Sequence, residues 1–408
     1  MKLKSFSVGN YKAFKRNQTI DLNNLTLFFG YNNTGKSALV RALPLLSDSM
    51  KVRNNSFYTP SFLDYSSESV RGGLFSDITT SGEHKLSFGL HWENESSFDF
   101  TLQQSGLEPE KMTSLRIRLN GETKEYQESI ESDDKMENKD NRDETINFSG
   151  FRLSNSSELN DVISNFSNSV HWVSSTRVHP PREFDIGVGV STSIDHKGNG
   201  IGPAIWALYE NNSPSITDIN HWLTTTCGRK IDFSSTTTSS NRRRKVKLET
   251  VSESLDSPFR VAILDSGEGI AQALPVVVLA AMAANGELGS NPIITIEQPE
   301  LHLHPQASID LANFIISCIK KNSNVNFVLE THSESFLRAL QIAIVDASLD
   351  ENNFSCYWIS MTNEGANVEP IGFDSEGYIS NAWPQDVFRE TINQAKELVS
   401  KRRAVNED

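Results

Sequence analysis

Gly30-Tyr31-Asn32-Asn33-Thr34-Gly35-Lys36-Ser37 has the spacing G-x-x-x-x-G-K-[ST]. The apolar run Leu25–Phe29 precedes it, and Ala38 to Leu46 follows with helical apolar spacing. The eight residues are therefore predicted to form the loop between a buried strand and a helix. In that context the motif reads as a phosphate cradle. Its glycines let the backbone curl until its N–H groups point at phosphate oxygens, and the following helix adds its positive end. Gly30, Asn32, Asn33, Thr34, Gly35 and Ala38 are the expected cradle residues. Lys36 is expected to bring a mobile charge to the outer phosphates, and Ser37 a hydroxyl for Mg²⁺.

Three further segments read as partners of that loop. Ile293-Ile294-Thr295-Ile296-Glu297 is a buried strand ending in an acid, and such a carboxylate faces the crevice where phosphates lie. Glu297 is therefore the expected Mg²⁺-side carboxylate. Ser266-Gly267-Glu268-Gly269 is a glycine-rich turn leading into a helix through Gln272, a pattern that can hold an anion. Thr331-His332-Ser333 follows a strand and sets an imidazole within reach of a terminal phosphate.

Taken in order, Asn-Asn-Thr-Gly-Lys-Ser (32–37), Ser-Gly-Glu-Gly (266–269), Glu-Gln-Pro-Glu-x-His-x-His-Pro (297–305) and Thr-His-Ser (331–333) resemble the SMC- and RecF-like branch of ABC ATPases. The likeness is greatest to the OLD-like ATPases of bacterial anti-phage defence, including the Septu type. Phe6-Ser7-Val8-Gly9-Asn10-Tyr11-Lys12-Ala13-Phe14 also looks like that family's opening, and the motifs span residues 5 to 335. The resemblance implies a P-loop NTPase of ABC type: a mixed, mostly parallel α/β sheet flanked by helices, with an antiparallel β lobe and an inserted helical region. It implies ATP and Mg²⁺ as ligands, and a homodimer in which Ser266 to Gly269 meets the nucleotide bound by the partner subunit. It makes Glu300 to His304 the loop at the dimer seam and His332 the switch histidine. Trp172 to Arg177 then stands where a glutamine-bearing loop belongs. That loop contains no glutamine, so Ser174 and Arg177 take its place as site residues, with Lys12 beside them.

One departure bears on chemistry. Related ATPases follow the Mg²⁺-side acid with a water-activating glutamate, and here that residue is Gln298. An amide can orient a water but cannot accept its proton near neutral pH. Hydrolysis is expected to be slow, unless Glu300 or His332 serves as the base. His302 and His304 read as interface and packing residues rather than a transition-metal pair.

The remaining sequence bounds the class. The 408 residues carry 37% hydrophobic and 22% charged residues and a formal charge of −14, against a surface that coats nucleic acid throughout. Three cysteines without metal or redox spacing fit a cytoplasmic protein. No apolar run reaches membrane-spanning length, and the N-terminus lacks an apolar signal core. Residues 1–83 are expected to open the ATPase core and 84–155 to form the antiparallel lobe. Within that lobe, 121–145 reads as a mobile insertion, since Glu122 to Glu144 holds ten acids and four bases. Residues 156–257 read as a helical and basic insertion, 258–382 as the rest of the core with a strand at Phe259–Leu264, and 383–408 as a terminal helix. Arg242, Arg243, Arg244 and Lys245 form a dense basic run that could meet a phosphate backbone, although a solvated hairpin edge reads equally well. With no second catalytic domain in the sequence, the leading expectation is an ATPase subunit that controls a partner effector, a nuclease, in defence. The alternative is a repair or chromosome-associated ATPase that clamps DNA directly.

Overall fold

In the computed structural model, the described residues are 1–51, 62–106, 108–128, 135–141, 144–153, 156–187, 191–237, 243–252, 259–379 and 396–397. The Leu25–Gly30 strand is buried at every position because it runs through the middle of a six-stranded sheet. Its neighbours come from the far end of the chain: Asn326–Glu330 on one side and Phe354–Thr362 on the other, both parallel to it. Ile293–Glu297 and then Val170–Val173 extend the parallel set, while Gly365–Ile371 closes the opposite edge as an antiparallel hairpin arm. Parallel strands covered on both faces read as continuous apolar runs, which is why Leu25–Phe29 and Ile293–Ile296 lack polar alternation.

The two faces of this sheet serve two cores, and alternation along each strand assigns them. Leu25, Leu27, Phe29, Ile294, Ile296, Phe327 and Leu329 pack against the helices Ile201–Glu210, Pro214–Cys227, Glu268–Ala284, Pro305–Lys321 and Glu334–Val345. Phe28, Ile293, Val328, Tyr357 and Ile359 turn the other way, toward the Lys36–Met50 helix. That helix shares its buried core with a second, antiparallel sheet, Leu39, Leu43 and Leu46 lying in one cluster with that sheet's Phe6, Leu86 and Phe98. The second sheet runs Gln18–Asp21, Leu3–Gly9, Lys85–Trp92, Ser97–Gln103, Lys111–Leu119, Glu122–Glu128, Lys135–Asn138, Thr145–Ser149, Arg152–Leu153 in spatial order.

Two expectations change here. The acidic stretch within 121–145, read as a mobile insertion, supplies strands to the antiparallel sheet wherever it is described. Its charges are paired across strands, Glu125 with Arg116 and Lys139, and Glu144 with Lys124. Tyr126, Met136 and Ile146 form its buried face. The run Phe259–Leu264 is not a strand of the parallel sheet. Only Arg260–Ala262 is extended, pairing antiparallel with Arg243–Ser252 in a small separate sheet, and Ile263–Asp265 turns into a short 3-10 helix. Of the basic run, Arg243 to Lys245 have a backbone in the Arg243–Ser252 strand, paired with Asp185–Gly187, while Arg242 lies outside the described residues. The Ser/Thr stretch expected as a loop continues the Arg229–Thr237 strand over its first part. The terminal helix expected over 383–408 also lies outside the described residues, apart from positions 396 and 397. No helix of the described residues is long and apolar enough to cross a membrane.

Candidate nucleotide-binding site

The loop at the end of the Leu25–Gly30 strand is built as its glycines require. Gly30 has φ +156°, and a Cβ there would lie 2.3 Å from the Ile359 carbonyl oxygen. Gly35 has φ +101°, with the Phe14 ring 3.0 Å from where a Cβ would stand. Neither position accepts a side chain without displacing the neighbouring strand or the segment around Phe14. Thr34 Oγ1 and Lys36 Nζ both donate to the Tyr31 carbonyl, at 2.9 and 2.6 Å, so loop and lysine close on each other. Burial holds the Lys36 ammonium below its ordinary pKa, with Glu330 acting in the opposite sense. Asn33 takes φ +64°, while Tyr31, Asn32 and Asn33 are exposed.

The Lys36–Met50 helix begins at Gly35 with no side-chain cap and no acid in its first turn. Its first N–H groups and the positive end of its dipole are thus left for an anion. A buried helix start without a cap, a glycine cradle around it and a serine hydroxyl at its second residue fit a nucleoside triphosphate with Mg²⁺. Gly30 to Ala38 come together as the sequence predicts.

Glu297 ends its strand as expected but does not stand free. Arg41, one turn beyond Lys36, grips it with a two-pronged bridge: Nε to Oε1 at 2.6 Å and Nη2 to Oε2 at 2.5 Å. Trp172 Nε1 donates to Oε1 and Ser175 Oγ to Oε2, each at 3.2 Å. The Arg41 guanidinium also lies over the Trp172 ring, 5.9 Å from its centre. The carboxyl on which the Ser37 hydroxyl acts belongs instead to Glu330, at the end of the intervening strand. Glu330 is 4% exposed, and its Oε2 is buried with no partner among the described residues. Burial raises its pKa, and Ser37 lowers it in part.

The following turn is shaped by Gln298, a non-glycine residue at φ +47°. Its N–H donates to the Glu330 carbonyl at 2.8 Å. Glu300 accepts from the His332 N–H at 3.1 Å, joining this turn to the Thr331-His332-Ser333 loop. Burial raises the Glu300 pKa, and its Oε2 has no hydrogen-bond partner among the described residues. The His332 imidazole is lowered by burial and then by the nearby Lys36 charge. Gln298, Glu300, Glu330, His332 and Lys36 therefore form one neighbourhood around the cradle.

Arg177, expected beside the nucleotide, is turned elsewhere. Its guanidinium donates only to backbone carbonyls: Ser174 at 2.9 Å, Gln272 at 3.1 Å, Glu297 at 2.6 Å and Gln298 at 2.9 Å. Burial pushes its pKa down to about 10. It braces the turn at Gln298 against the Glu268–Ala284 helix. Ser174 is engaged within its own loop, with Oγ donating to the Thr176 carbonyl at 2.8 Å. Lys12 Nζ donates to the Asp77 carbonyl at 2.9 Å, not to the loop.

The turn Ser266–Gly269 opens that same helix. The Ser266 hydroxyl donates to the Ala262 carbonyl at 3.2 Å and lies 3.0 Å from Thr250 Oγ1. Gly267 and Glu268 are exposed. Gly269 sits against the 300–304 turn so closely that a Cβ would meet the His302 carbonyl oxygen at 2.5 Å. His304 caps the Pro305–Lys321 helix, its Nδ1 accepting from the Gln306 N–H at 3.4 Å. Among the described residues no group of three or more potential ligands could hold a metal ion. Sequence reasoning missed Arg41 and Glu330, and within the 172–177 loop it chose Ser174 and Arg177 where Trp172 and Ser175 reach Glu297. Only Glu330 had a local signal, an acid ending the apolar strand Asn326–Glu330.

Together the sheet order, the phosphate loop and the acids at neighbouring strand ends define a P-loop ATPase. The chain belongs to the AAA ATPase domain family, whose model matches residues 1–71 and 78–337. No protein of curated function matches the sequence. Among solved structures the chain is similar to an SMC head bound to the C-terminal winged-helix domain of ScpA, at 10% identity and TM-score 0.52. That match covers 92% of this chain and 98% of the other. An SMC head domain from Thermotoga maritima aligns at 13% identity and TM-score 0.43, covering 91% and 99%. A Pyrococcus furiosus Smc head with an extended coiled coil, bound to the C-terminal domain of ScpA, aligns at 10% and 0.47, covering 98% and 99%.

Proposed function

We propose that this AAA-family ATPase binds ATP with Mg²⁺ at Gly30 to Ser37 and dimerises around it. Its nucleotide state then controls a partner effector, a nuclease, in cytoplasmic anti-phage defence. The observation that carries ATP binding is the preformed cradle, with its uncapped helix and with Lys36 resting on Tyr31. Mg²⁺ bound there would neutralise charge on the outer phosphates. Lys36 releases the Tyr31 carbonyl to reach the same oxygens, and the loop N–H groups hold them in place. Gln298 orients water without removing its proton, so turnover is slow and the ATP-bound state long-lived.

Dimerisation is supported by the exposed Gly267 and Glu268 at the mouth of an uncapped helix, a turn open to an anion brought by a partner subunit. An SMC head, similar in fold, binds the winged-helix domain of ScpA, which supports an ATPase of this shape carrying a partner protein. The motif resemblance to SMC- and RecF-like ATPases keeps direct DNA clamping as the second reading. The test mixes a Lys36→Ala subunit with a Ser266→Arg subunit and measures ATP hydrolysis. One intact composite site should restore activity that neither variant has alone. A strictly monomeric, fully active chain would refute the dimer. Purifying the native complex and assaying nuclease activity with and without ATP tests the effector, and DNA retained by the ATPase alone would favour the second reading.

A further inference from the structure

We propose that Glu330, rather than Glu297, is the carboxylate that serves the Mg²⁺ ion of the bound nucleotide. The proposal rests on the reading of Gly30 to Ser37 as the ATP site. A magnesium ion at a P-loop takes the serine hydroxyl, phosphate oxygens and waters, with one or two carboxylates behind them. Two acids end adjacent strands here, and counting their donors separates them.

Glu297 has no oxygen to spare. Its Oε1 accepts from Arg41 Nε and Trp172 Nε1, and its Oε2 from Arg41 Nη2 and Ser175 Oγ. Recruiting it to an ion would break a buried two-pronged bridge and strand the Arg41 charge, since the two side chains are only 11% and 1% exposed. Glu330 is the reverse case. Its strand lies next to the P-loop strand, Glu330 opposite Phe28 in register, whereas Glu297 lies one strand further away. The Ser37 hydroxyl and the Lys36 charge both act on its carboxyl, and Oε2 is buried without a partner among the described residues. Buried polar atoms in folded proteins are nearly always satisfied, so an orphaned carboxylate oxygen beside the one hydroxyl expected to hold a metal is a vacant ligand or outer-sphere position. Glu297 then has a different part to play. With Arg41 it locks the start of the P-loop helix to the strand that leads into Gln298.

The experiment measures ATP affinity of the full chain by calorimetry with Mg²⁺ and with EDTA, for wild type, Glu330→Gln and Glu297→Gln. Mn²⁺ electron paramagnetic resonance in the presence of ATP provides a second readout of the ion itself. Wild type should bind ATP more tightly with Mg²⁺. Glu330→Gln should keep its affinity in EDTA and lose about 10- to 100-fold of the Mg²⁺ gain, the usual effect of removing a group that supports a metal. Glu297→Gln should keep the gain and show reduced thermal stability. Glu330→Asp restores the charge and should recover part of the gain, a result that misfolding of the glutamine variant would not mimic. Retention of the full gain by Glu330→Gln, or its loss in Glu297→Gln, overturns the assignment. Wild type that binds no ATP under either condition removes the site reading itself, and this assignment with it.

Discussion

Replacing Arg41 by methionine isolates the energetic part of the site from its chemistry. Methionine fills the same volume along the helix but leaves the Glu297 carboxylate buried, with only Trp172 and Ser175 donating to it. Removing one partner of a buried, hydrogen-bonded pair typically costs about 3–5 kcal/mol, because the remaining charge stays desolvated. With a side chain 1% exposed, Glu297 has no route to water that would soften this. For a large domain about 2 °C of melting temperature corresponds to 1 kcal/mol, so Arg41→Met should melt about 6–10 °C below wild type without nucleotide. Adding Glu297→Gln removes the stranded charge. The glutamine oxygen can still accept from Trp172, and its amide can donate to Ser175, whose hydroxyl accepts as readily as it donates. The double variant should therefore recover most of the loss. Differential scanning fluorimetry of the four proteins completes the cycle. An Arg41→Met protein melting within about 2 °C of wild type, less than 1 kcal/mol, would refute the reasoning, as would a double variant worse than the single one.

Three other outcomes follow from named residues. Lys36→Ala should lose most of the thermal stabilisation that ATP with Mg²⁺ confers on wild type, which is about 2.7 kcal/mol at a ligand concentration 100-fold above Kd; equal stabilisation of both proteins would remove the P-loop assignment. Gln298→Glu should raise steady-state ATP turnover by at least about tenfold, within the about 10²–10⁴ that a general base contributes, at unchanged ATP affinity; a brisk wild-type rate that the substitution leaves alone would exclude slow hydrolysis by design. Burial pushes the His171 imidazole from 6.5 down to about 4, helped by the nearby Lys51 charge, and its Nε2 is buried without a partner among the described residues. The folded protein thus disfavours a proton that the unfolded chain takes up below 6.5, so this contribution is full above that pH and is lost as pH falls toward 4, by about 3 kcal/mol in all. His171→Gln should flatten that part of the stability–pH profile measured by denaturant titration.

What the sequence disclosed about this site followed the range over which each piece of chemistry acts. The cradle was legible because Gly30 to Ser37 carry the whole device in eight consecutive residues, and the positive φ values of Gly30 and Gly35 are what those glycines are for. The Ile293–Glu297 strand was legible for the same reason, but not the state of its acid. Arg41 stands 256 positions from Glu297, and in sequence it is a lone arginine between Val40 and Ala42 with nothing local to name its partner. Glu330 satisfies the same rule as Glu297, an acid closing a buried strand, so the sequence alone does not choose between them. The acidic stretch failed for a different reason. Counting charge treats each carboxylate as unpaired, whereas in a sheet the cross-strand partner decides, and Arg116, Lys124 and Lys139 supply those partners. Arg177 was misplaced by one layer: an arginine near a phosphate site suggests a phosphate contact, yet four carbonyls claim its donors. That bracing has a consequence for function. Because Arg177 holds both the Gln298 carbonyl and the Gln272 carbonyl of the Glu268–Ala284 helix, and Gly269 packs on His302, the turn at Ser266 and the turn at Gln298 are joined by shared contacts. In the proposed dimer, a contact made at Ser266 to Gly269 thereby bears on the turn that carries Gln298.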